Sequence, residues 1–398
     1  MTEPGTAVAP AGGAGPSEAK AIDGTPCEVH VHLFARTDVG QVREHNEDNF
    51  LVADLTRRSR GLLEANRATA VGAQGAVFAV CDGMGGAAAG EIASQLAVDI
   101  IYERLVDGLD GHALKRDELA RRLVRAVETA GLRIFHEAKA DRSRRGMGTT
   151  ITAAALVDEV LFLAQVGDSR GYILRGDKLV QVTRDQSLVN QLIEAGQLTE
   201  EEAETFEHNN IILQALGTAD TVQVDLTFAE VRRGDILLLC SDGLSGMVRF
   251  EDIRETLRSG AEPLEICKAL TDRANQAGGH DNITVIIVQF DGPTLKPVDA
   301  EGDPLKYRKY VLADEAAEEK TEQLPAALAV NATDAPTPTG TARSAAPASV
   351  GKQAPPRRND NDYDRVDIPG THVPVWMVIA IVVAVVALLA GTAFLLLR

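Results

Sequence analysis

An α+β fold, with one antiparallel sheet packed on another and helices outside, is what this 398-residue sequence predicts. Three features carry that expectation. The middle of the chain reads ITAAALV-DE-VLFLAQV-GDS-RGYILR-GD-KLVQV, four short apolar runs joined by connections of two or three residues. Connections so short suit antiparallel hairpins, because a parallel crossover needs a dozen residues or more. Further β runs stand at Ala76–Cys81, Val222–Phe228, Asp235–Cys240 and Asn282–Phe290. Helical patterns lie between them and are apolar on one side only, which suits an outer layer better than a doubly wound parallel core.

Each helix has its own signature. From Glu91 to Leu105, Ile92, Leu96 and Ile100 form one face, with Glu91, Gln95 and Asp99 on another. Leu119, Leu123, Val127 and Ile134 mark a second amphipathic helix. Pro263 opens a third, where Ile266, Leu270 and Ala274 recur one turn apart.

Composition sets the boundaries. Residues 1–28 are rich in Ala, Gly and Pro, lack an apolar signal-peptide core, and read as a disordered arm. Residues 29–291 form the folded domain, with Thr56 to Gly75 as a surface insertion. Residues 292–372, rich in Ala, Pro, Thr and charge, read as a disordered linker. Residues 373–398 read as a transmembrane helix. Val375 to Leu397 carries no charge, and at 1.5 Å per residue it reaches about 34 Å, enough for the hydrocarbon core. Trp376 stands where an interfacial aromatic belongs, and Arg357, Arg358 and Arg365 place the upstream flank on the cytoplasmic side. The expected location is therefore the cytoplasmic membrane, single-pass, with the folded domain in the cytoplasm.

A formal net charge of −18 opposes polyphosphate backbones, so no nucleic-acid partner is expected. The four cysteines, Cys27, Cys81, Cys240 and Cys267, form no C-x-x-C pair. Cys81 and Cys240 end apolar runs and read as reduced core residues.

Aspartates recur at strand ends: Asp48 in VREHNEDNFLV, Asp82 in AVFAVCDGMGG, Asp168 in LFLAQVGDSRG, Asp242 in ILLLCSDGLSG and Asp281 in GGHDNITVIIV. Any single Asp-Gly is first of all a turn signal. As a set on one rim, the five carboxylates repel unless cations bind between them, and hard oxygen ligands suit Mg²⁺ or Mn²⁺. The glycines after Asp82 permit close backbone approach, so the Gly83 carbonyl joins the candidate ligands.

In this order and spacing, VREHNED, CDGMGG, GMGTT, GDSR, CSDG and GHDN resemble the PP2C (PPM) family of metal-dependent serine/threonine protein phosphatases, in its bacterial branch. The resemblance covers nearly all of Val29 to Phe290. It implies a four-layer α-β-β-α sandwich and a binuclear Mn²⁺ or Mg²⁺ site. It implies that Asp82 bridges two ions, that Asp242 and Asp281 complete the first, and that Glu47 and the Gly83 carbonyl serve the second. Asp48 would hydrogen-bond water at the metal centre. Asp168 with Asp242 resembles the pair that holds a weaker third ion. Arg43 matches the arginine that grips substrate phosphate, as a guanidinium fork suits those oxygens; its alternative is an ion pair with Glu44 or Glu47. Met84 stands where animal members carry a histidine, as it does in the bacterial branch. The segment from Leu179 to Leu216 resembles the family's flap, with EHNN departing from the usual basic wording. The implied reaction is hydrolysis of phosphoserine and phosphothreonine in proteins by a metal-activated water. The implied partners are phosphoproteins, among them bacterial Ser/Thr kinases and their substrates.

Overall fold

The computed structural model describes residues 28–62, 69–85, 89–199, 202–203, 206, 210–298 and 304–312. Among the described residues, two antiparallel sheets make up the centre. The first has six strands in the order Lys178–Gln181 (β11), Arg170–Arg175 (β10), Ile236–Cys240 (β13), Ile283–Asp291 (β14), His30–Asp38 (β1) and Thr69–Ala70 (β4). The second has seven: Tyr307–Lys309 (β15), Asp225–Glu230 (β12), Val160–Val166 (β9), Ile151–Val157 (β8), Ala76–Cys81 (β5), Asn49–Asp54 (β2) and Ser59–Arg60 (β3). A two-stranded ribbon joins Gly83–Met84 (β6) to Gly148–Thr149 (β7).

Both faces of each sheet are covered, so the central strands are apolar throughout rather than alternating with polar residues. In β5, Val77, Ala79 and Cys81 enter one core while Ala76, Phe78 and Val80 enter another. The middle core lies between the sheets, where Phe78, Leu161 and Leu163 meet Ile173, Leu237, Leu239 and Val288. One outer core is roofed by helices Ala89–Val106 (α1) and Arg116–Ala140 (α2). The other lies under Phe250–Leu257 (α5) and Pro263–Gln276 (α6), through Ile253, Leu257, Ile266 and Leu270. Two shorter helices, Leu188–Glu194 (α3) and Asp242–Ser245 (α4), stand nearer the strand ends. The fold is the expected α-β-β-α sandwich. Cys81, Cys240 and Cys267 are free and buried, as their apolar settings suggest for the first two.

Four expectations change. The four apolar runs make two hairpins, not three: β8 pairs with β9 and β10 with β11. Gly167-Asp168-Ser169 instead carries the chain from the seven-stranded to the six-stranded sheet. Three extended residues reach about 10 Å, which is also about the separation of packed sheets. Gly167 adopts a φ of 103° there, against the side chain of Thr150.

In α1 the buried stripe is Ala93, Ala97, Ile101 and Leu105, while Ile92, Leu96 and Ile100 are only partly covered. Small residues let the helix approach closely, and apolar periodicity alone misplaces the face by one position. The stretch from Thr56 to Gly75, read as an insertion, supplies β3 and β4 as edge strands to the two sheets. Ordered structure also continues past 291. Leu295 is buried, β15 pairs with β12, and Tyr310 meets Phe162 and Phe228 edge-on at 5.0 and 5.5 Å. The apolar payload after the β14 strand is a few residues in a charged run, too sparse for periodicity to reveal.

The C-terminal run from Val375 to Leu397, residues 1–27 with Cys27, most of EHNN and most of the linker lie outside the described residues. Among the described residues no helix is long and apolar enough to cross a membrane.

Candidate metal and phosphate site

The strand ends of both sheets converge on one rim, and the expected residues are there. Asp82 follows β5, Asp242 follows β13, Asp281 precedes β14, Asp48 precedes β2, and Asp168 sits in the inter-sheet crossing. The backbone at Asp82 is held from both sides. Its N–H donates to Thr150 Oγ1 at 3.1 Å, and its carbonyl accepts from Thr150 N at 2.9 Å and Thr149 Oγ1 at 2.8 Å. Asp48 is buried, and its Oδ2 accepts from Ser241 Oγ at 2.8 Å and Thr284 Oγ1 at 2.7 Å.

Glu47 reaches the same rim through its backbone. Its N–H donates to Asn282 Oδ1 at 2.8 Å, while its carbonyl accepts from Gly83 N at 3.2 Å and Ser94 Oγ at 2.6 Å. Gly83 and Gly90 make this approach possible. A Cβ on Gly83 would stand 2.3 Å from the Gly90 carbonyl oxygen, and one on Gly90 would stand 2.7 Å from Glu47 Oε2. The Gly83 backbone and the Glu47 carboxylate are thereby neighbours, as a shared ligand role requires.

The charges are unbalanced. Burial pushes the Asp82 carboxyl well above the ordinary range, and the charges of Asp48, Asp242, Asp168 and Asp281 push it further. Asp48 rises to about 7, chiefly by burial and then by Asp242 and Asp281, against its two hydroxyl donors. Asp168 rises to about 7, by burial, Asp242 and Asp185. Asp242 and Glu47 are also raised, again by burial first. Asp82 and Asp242 are closely packed yet keep some open surface.

Three buried oxygens on this rim, Asp48 Oδ1, Asp168 Oδ1 and Asp242 Oδ1, have no hydrogen-bond partner. An unpaired buried carboxylate oxygen is costly, and a cation is its natural complement. All donors here are oxygens, which fits a hard divalent ion. Among the described residues, no three acidic, histidine or cysteine side chains are drawn in as tightly as an ion would hold them. Like charges left to themselves stand apart, and the unpaired oxygens mark where positive charge is wanting on this rim.

Arg43 is half-exposed beside the rim. Its Nη2 donates to Asp281 Oδ2 at 2.7 Å, so it pairs with neither Glu44 nor Glu47. That contact also occupies one oxygen of Asp281, whose Oδ1 accepts from Asn282 N at 2.8 Å. Asp281 therefore stands apart from the other aspartates in having both oxygens engaged. Met84 stands on the β6–β7 ribbon, opposite Gly148. The polar bed under the aspartates was not singled out from sequence: Thr150, Ser169, Ser241, Asn282 and Thr284 are all buried. The signal was present, since four of them stand inside GMGTT, GDSR, CSDG and GHDN.

A family model described as Protein phosphatase 2C matches residues 58–280. The serine/threonine phosphatase stp of Listeria innocua is 35% identical over 259 residues, covering 65% of this chain and 96% of that protein. The serine/threonine protein phosphatase PstP of Mycobacterium tuberculosis is 39% identical over 245 residues, covering 61% of this chain and 46% of that protein. The crystal structure of the PstP catalytic domain in complex with 2 manganese ions matches with a TM-score of 0.55 at 35% identity, covering 66% of this chain and 100% of that one.

Proposed function

The chain belongs to the protein phosphatase 2C family and is a serine/threonine protein phosphatase, and we propose that the aspartate rim described above is its catalytic centre. The observation that carries this is the group of buried, unpartnered carboxylate oxygens on Asp48, Asp168 and Asp242, on the rim where Arg43 pairs with Asp281. Asp82, Asp242 and Asp281 would hold one divalent ion, Asp82 with Glu47 and the Gly83 carbonyl a second, and Asp168 with Asp242 a weaker third. Manganese or magnesium suits this all-oxygen set, and the PstP structure with manganese supports the choice. When bound, such ions supply a nucleophilic water at neutral pH and offset charge on the phosphoryl oxygens.

The protein's own residues orient the reaction. Arg43 spends one Nη on Asp281, and its remaining donors are unengaged among the described residues, so a phosphate fits its open edge. Asp48, pinned through Oδ2 by Ser241 and Thr284, presents Oδ1 to accept a hydrogen bond from the attacking water. The buried thiols of Cys81 and Cys240 are pushed up, Cys240 to about 12, so neither is a nucleophile at neutral pH.

Phosphate release from a phosphothreonine peptide tests the reading. It should require Mn²⁺ or Mg²⁺ and be lost in Asp82→Asn. Full turnover after chelation, or in that variant, would overturn it.

We propose further that residues 373–398 tether the domain to the cytoplasmic face of the membrane. The support is the uncharged run from Val375 to Leu397, with Trp376 at its start and arginines upstream. Substrates at the membrane follow, Ser/Thr kinases among them. Deleting residues 373–398 should move the protein from the membrane fraction to the soluble one while sparing peptide hydrolysis. An unchanged distribution would reject the tether.

A further inference from the structure

The loop between β1 and β2 carries Arg43 and Glu47, and both have to meet the same rim. Val39, Gln41, Val42, Arg43, Glu44 and His45 are all exposed, so little apolar packing fixes this loop. Its place therefore has to come from hydrogen bonds.

Three of those bonds end on one side chain. Asn282, in GHDN, is only 4% exposed. Its Nδ2 donates to the carbonyls of Val39 at 3.0 Å and His45 at 2.9 Å, and its Oδ1 accepts from Glu47 N at 2.8 Å. One amide thus clasps the loop at its start and at its end, on either side of Arg43. The partners are backbone groups of fixed polarity, two acceptors and one donor, so the amide sits only this way round. An aspartate in its place would set an oxygen against two carbonyls.

Around this clasp the loop lies directly on the GHDN backbone. Gln41 N donates to Gly279 O at 2.8 Å, and Arg43 Nη2 donates to Asp281 Oδ2 at 2.7 Å. Gly40 has a φ of 81°, and a Cβ there would stand 2.3 Å from the Asp281 carbonyl oxygen. Contact that close leaves no room for a side chain. Asn282 is itself fixed from below. Its carbonyl accepts from Ser241 Oγ at 3.3 Å, and a Cβ on Gly243 would stand 2.0 Å from that oxygen. The clasp therefore stands on the same backbone that carries Asp242 and Asp281.

We propose that Asn282 is a positioning residue, which sets the place of Arg43 relative to Glu47 and so aligns the phosphate-binding arginine with the metal-binding rim. It acts through the loop rather than on the substrate. Without the clasp the two ends of the loop are free to part, and a phosphate held by Arg43 has no fixed place relative to Glu47. The proposal rests on the phosphatase reading of the rim, and it adds a buried amide on which both Arg43 and Glu47 depend.

The test uses the full chain and Asn282→Ala. In chelator, amide hydrogen exchange should show residues 39–47 opening about tenfold faster than in the parent, with β1 and β14 unchanged. Calorimetric titration with Mn²⁺ alone should show an affinity about tenfold weaker. With a phosphothreonine peptide as substrate, KM and the inhibition constant of inorganic phosphate should each rise about tenfold. In an Arg43→Ala background Asn282→Ala should leave the phosphate constant where Arg43→Ala puts it, because residues acting through one contact do not add. Gly40→Ala lifts the loop without touching the amide. It should reproduce the phosphate effect, and it decides the matter if Asn282→Ala does not fold. Faster exchange and weaker Mn²⁺ binding in a chain that hydrolyses no phosphopeptide would support the clasp and reject only the catalytic reading. A folded Asn282→Ala with unchanged Mn²⁺ affinity and phosphate inhibition overturns the proposal. So do effects of Asn282→Ala and Arg43→Ala that multiply, or a Gly40→Ala chain inhibited by phosphate like the parent.

Discussion

The same two strands carry buried charge at both ends, and the two ends are built in opposite ways. β10 and β13 run antiparallel. At one end Arg175, in β10, meets Asp235, immediately before β13, with side chains only 4% and 0% exposed. That pair is closed. Arg175 Nε donates to Asp235 Oδ1 at 3.0 Å, its Nη2 donates to Oδ2 at 2.7 Å and to the Glu230 carbonyl at 2.7 Å, and Arg232 N donates to Oδ2 at 2.8 Å. At the other end Asp168 and Asp242 keep one unpartnered oxygen apiece, and the charge of Asp242 helps push Asp168 up. Burying charge is tolerable when hydrogen bonds and a counter-ion complete it. Where the protein stops short of completing it, the missing charge has to come from a ligand.

Removing a carboxylate should therefore have opposite consequences at the two ends. Asp82→Asn is expected to cut metal-dependent phosphopeptide turnover by more than about 100-fold, since even residues that only orient metal ligands are worth 10–100-fold. With chelator present its unfolding free energy should equal or exceed that of the parent, because one repelling charge is gone. Asp235→Asn should do the reverse: urea unfolding should show a loss of about 3–5 kcal/mol, with turnover per folded molecule unchanged. If Asp82→Asn destabilised the chelated protein as much as Asp235→Asn, the two ends would be alike and the contrast would fail.

The contrast also has a pH signature. Burial, and after it the neighbouring carboxylates, push Asp48 and Asp168 up to about 7 in the folded protein, from an ordinary value of 3.8. A raised carboxyl binds its proton more tightly in the folded state than in the unfolded one. Between about pH 4 and 7 the unfolded chain has therefore released protons that the folded chain retains, and stability falls as pH rises. Above about 7 the penalty is fully present. Urea unfolding with chelator should show lower stability at pH 7.5 than at pH 5, by an amount on the order of a few kcal/mol. Mn²⁺ should restore most of it at pH 7.5. Asp168→Asn should flatten the decline, whereas a decline of unchanged slope would remove Asp168 as its source.

Much of this was legible in the sequence, and the failures share a cause. Asp48, Asp82, Asp168, Asp242 and Asp281 could be picked out because strand-end aspartates break apolar runs. Their gathering on one rim was an expectation from the motifs, which the fold places together. What the sequence hid was contact across distance. GDS reads as a hairpin turn because loop length does not say whether the next strand joins the same sheet or the facing one. The α1 stripe was misplaced because Ala93 and Ala97 are weak signals beside Ile92 and Leu96, although the smaller residues pack closest. Gly90 carries no mark of its role, which exists only because Glu47 comes to rest against it. Gly90→Ala should push that carboxylate aside and lower activity by about tenfold, more than it lowers stability.

The smallest effect belongs to the segment past β14. Tyr310 lays its ring against Phe162 and Phe228, and its hydroxyl lies 3.1 Å from Asp117 Oδ1 on α2. β15 beside it makes a three-residue pairing with β12 and is exposed throughout. An edge strand so short contributes little alone, so Tyr310 is what fastens it. Two edge-on aromatic contacts are worth roughly 1–3 kcal/mol together, and Tyr310→Ala should lower stability within that range. Turnover should not change, because the site stands on the rim formed by β5, β13 and β14, whereas this strand caps the outermost edge of the seven-stranded sheet. Limited proteolysis offers the sharper reading. If Tyr310 is the fastening, its loss should expose Lys306, Arg308 and Lys309 to trypsin well before the sandwich itself is cut, and simultaneous cleavage throughout would mean that the segment belongs to the core.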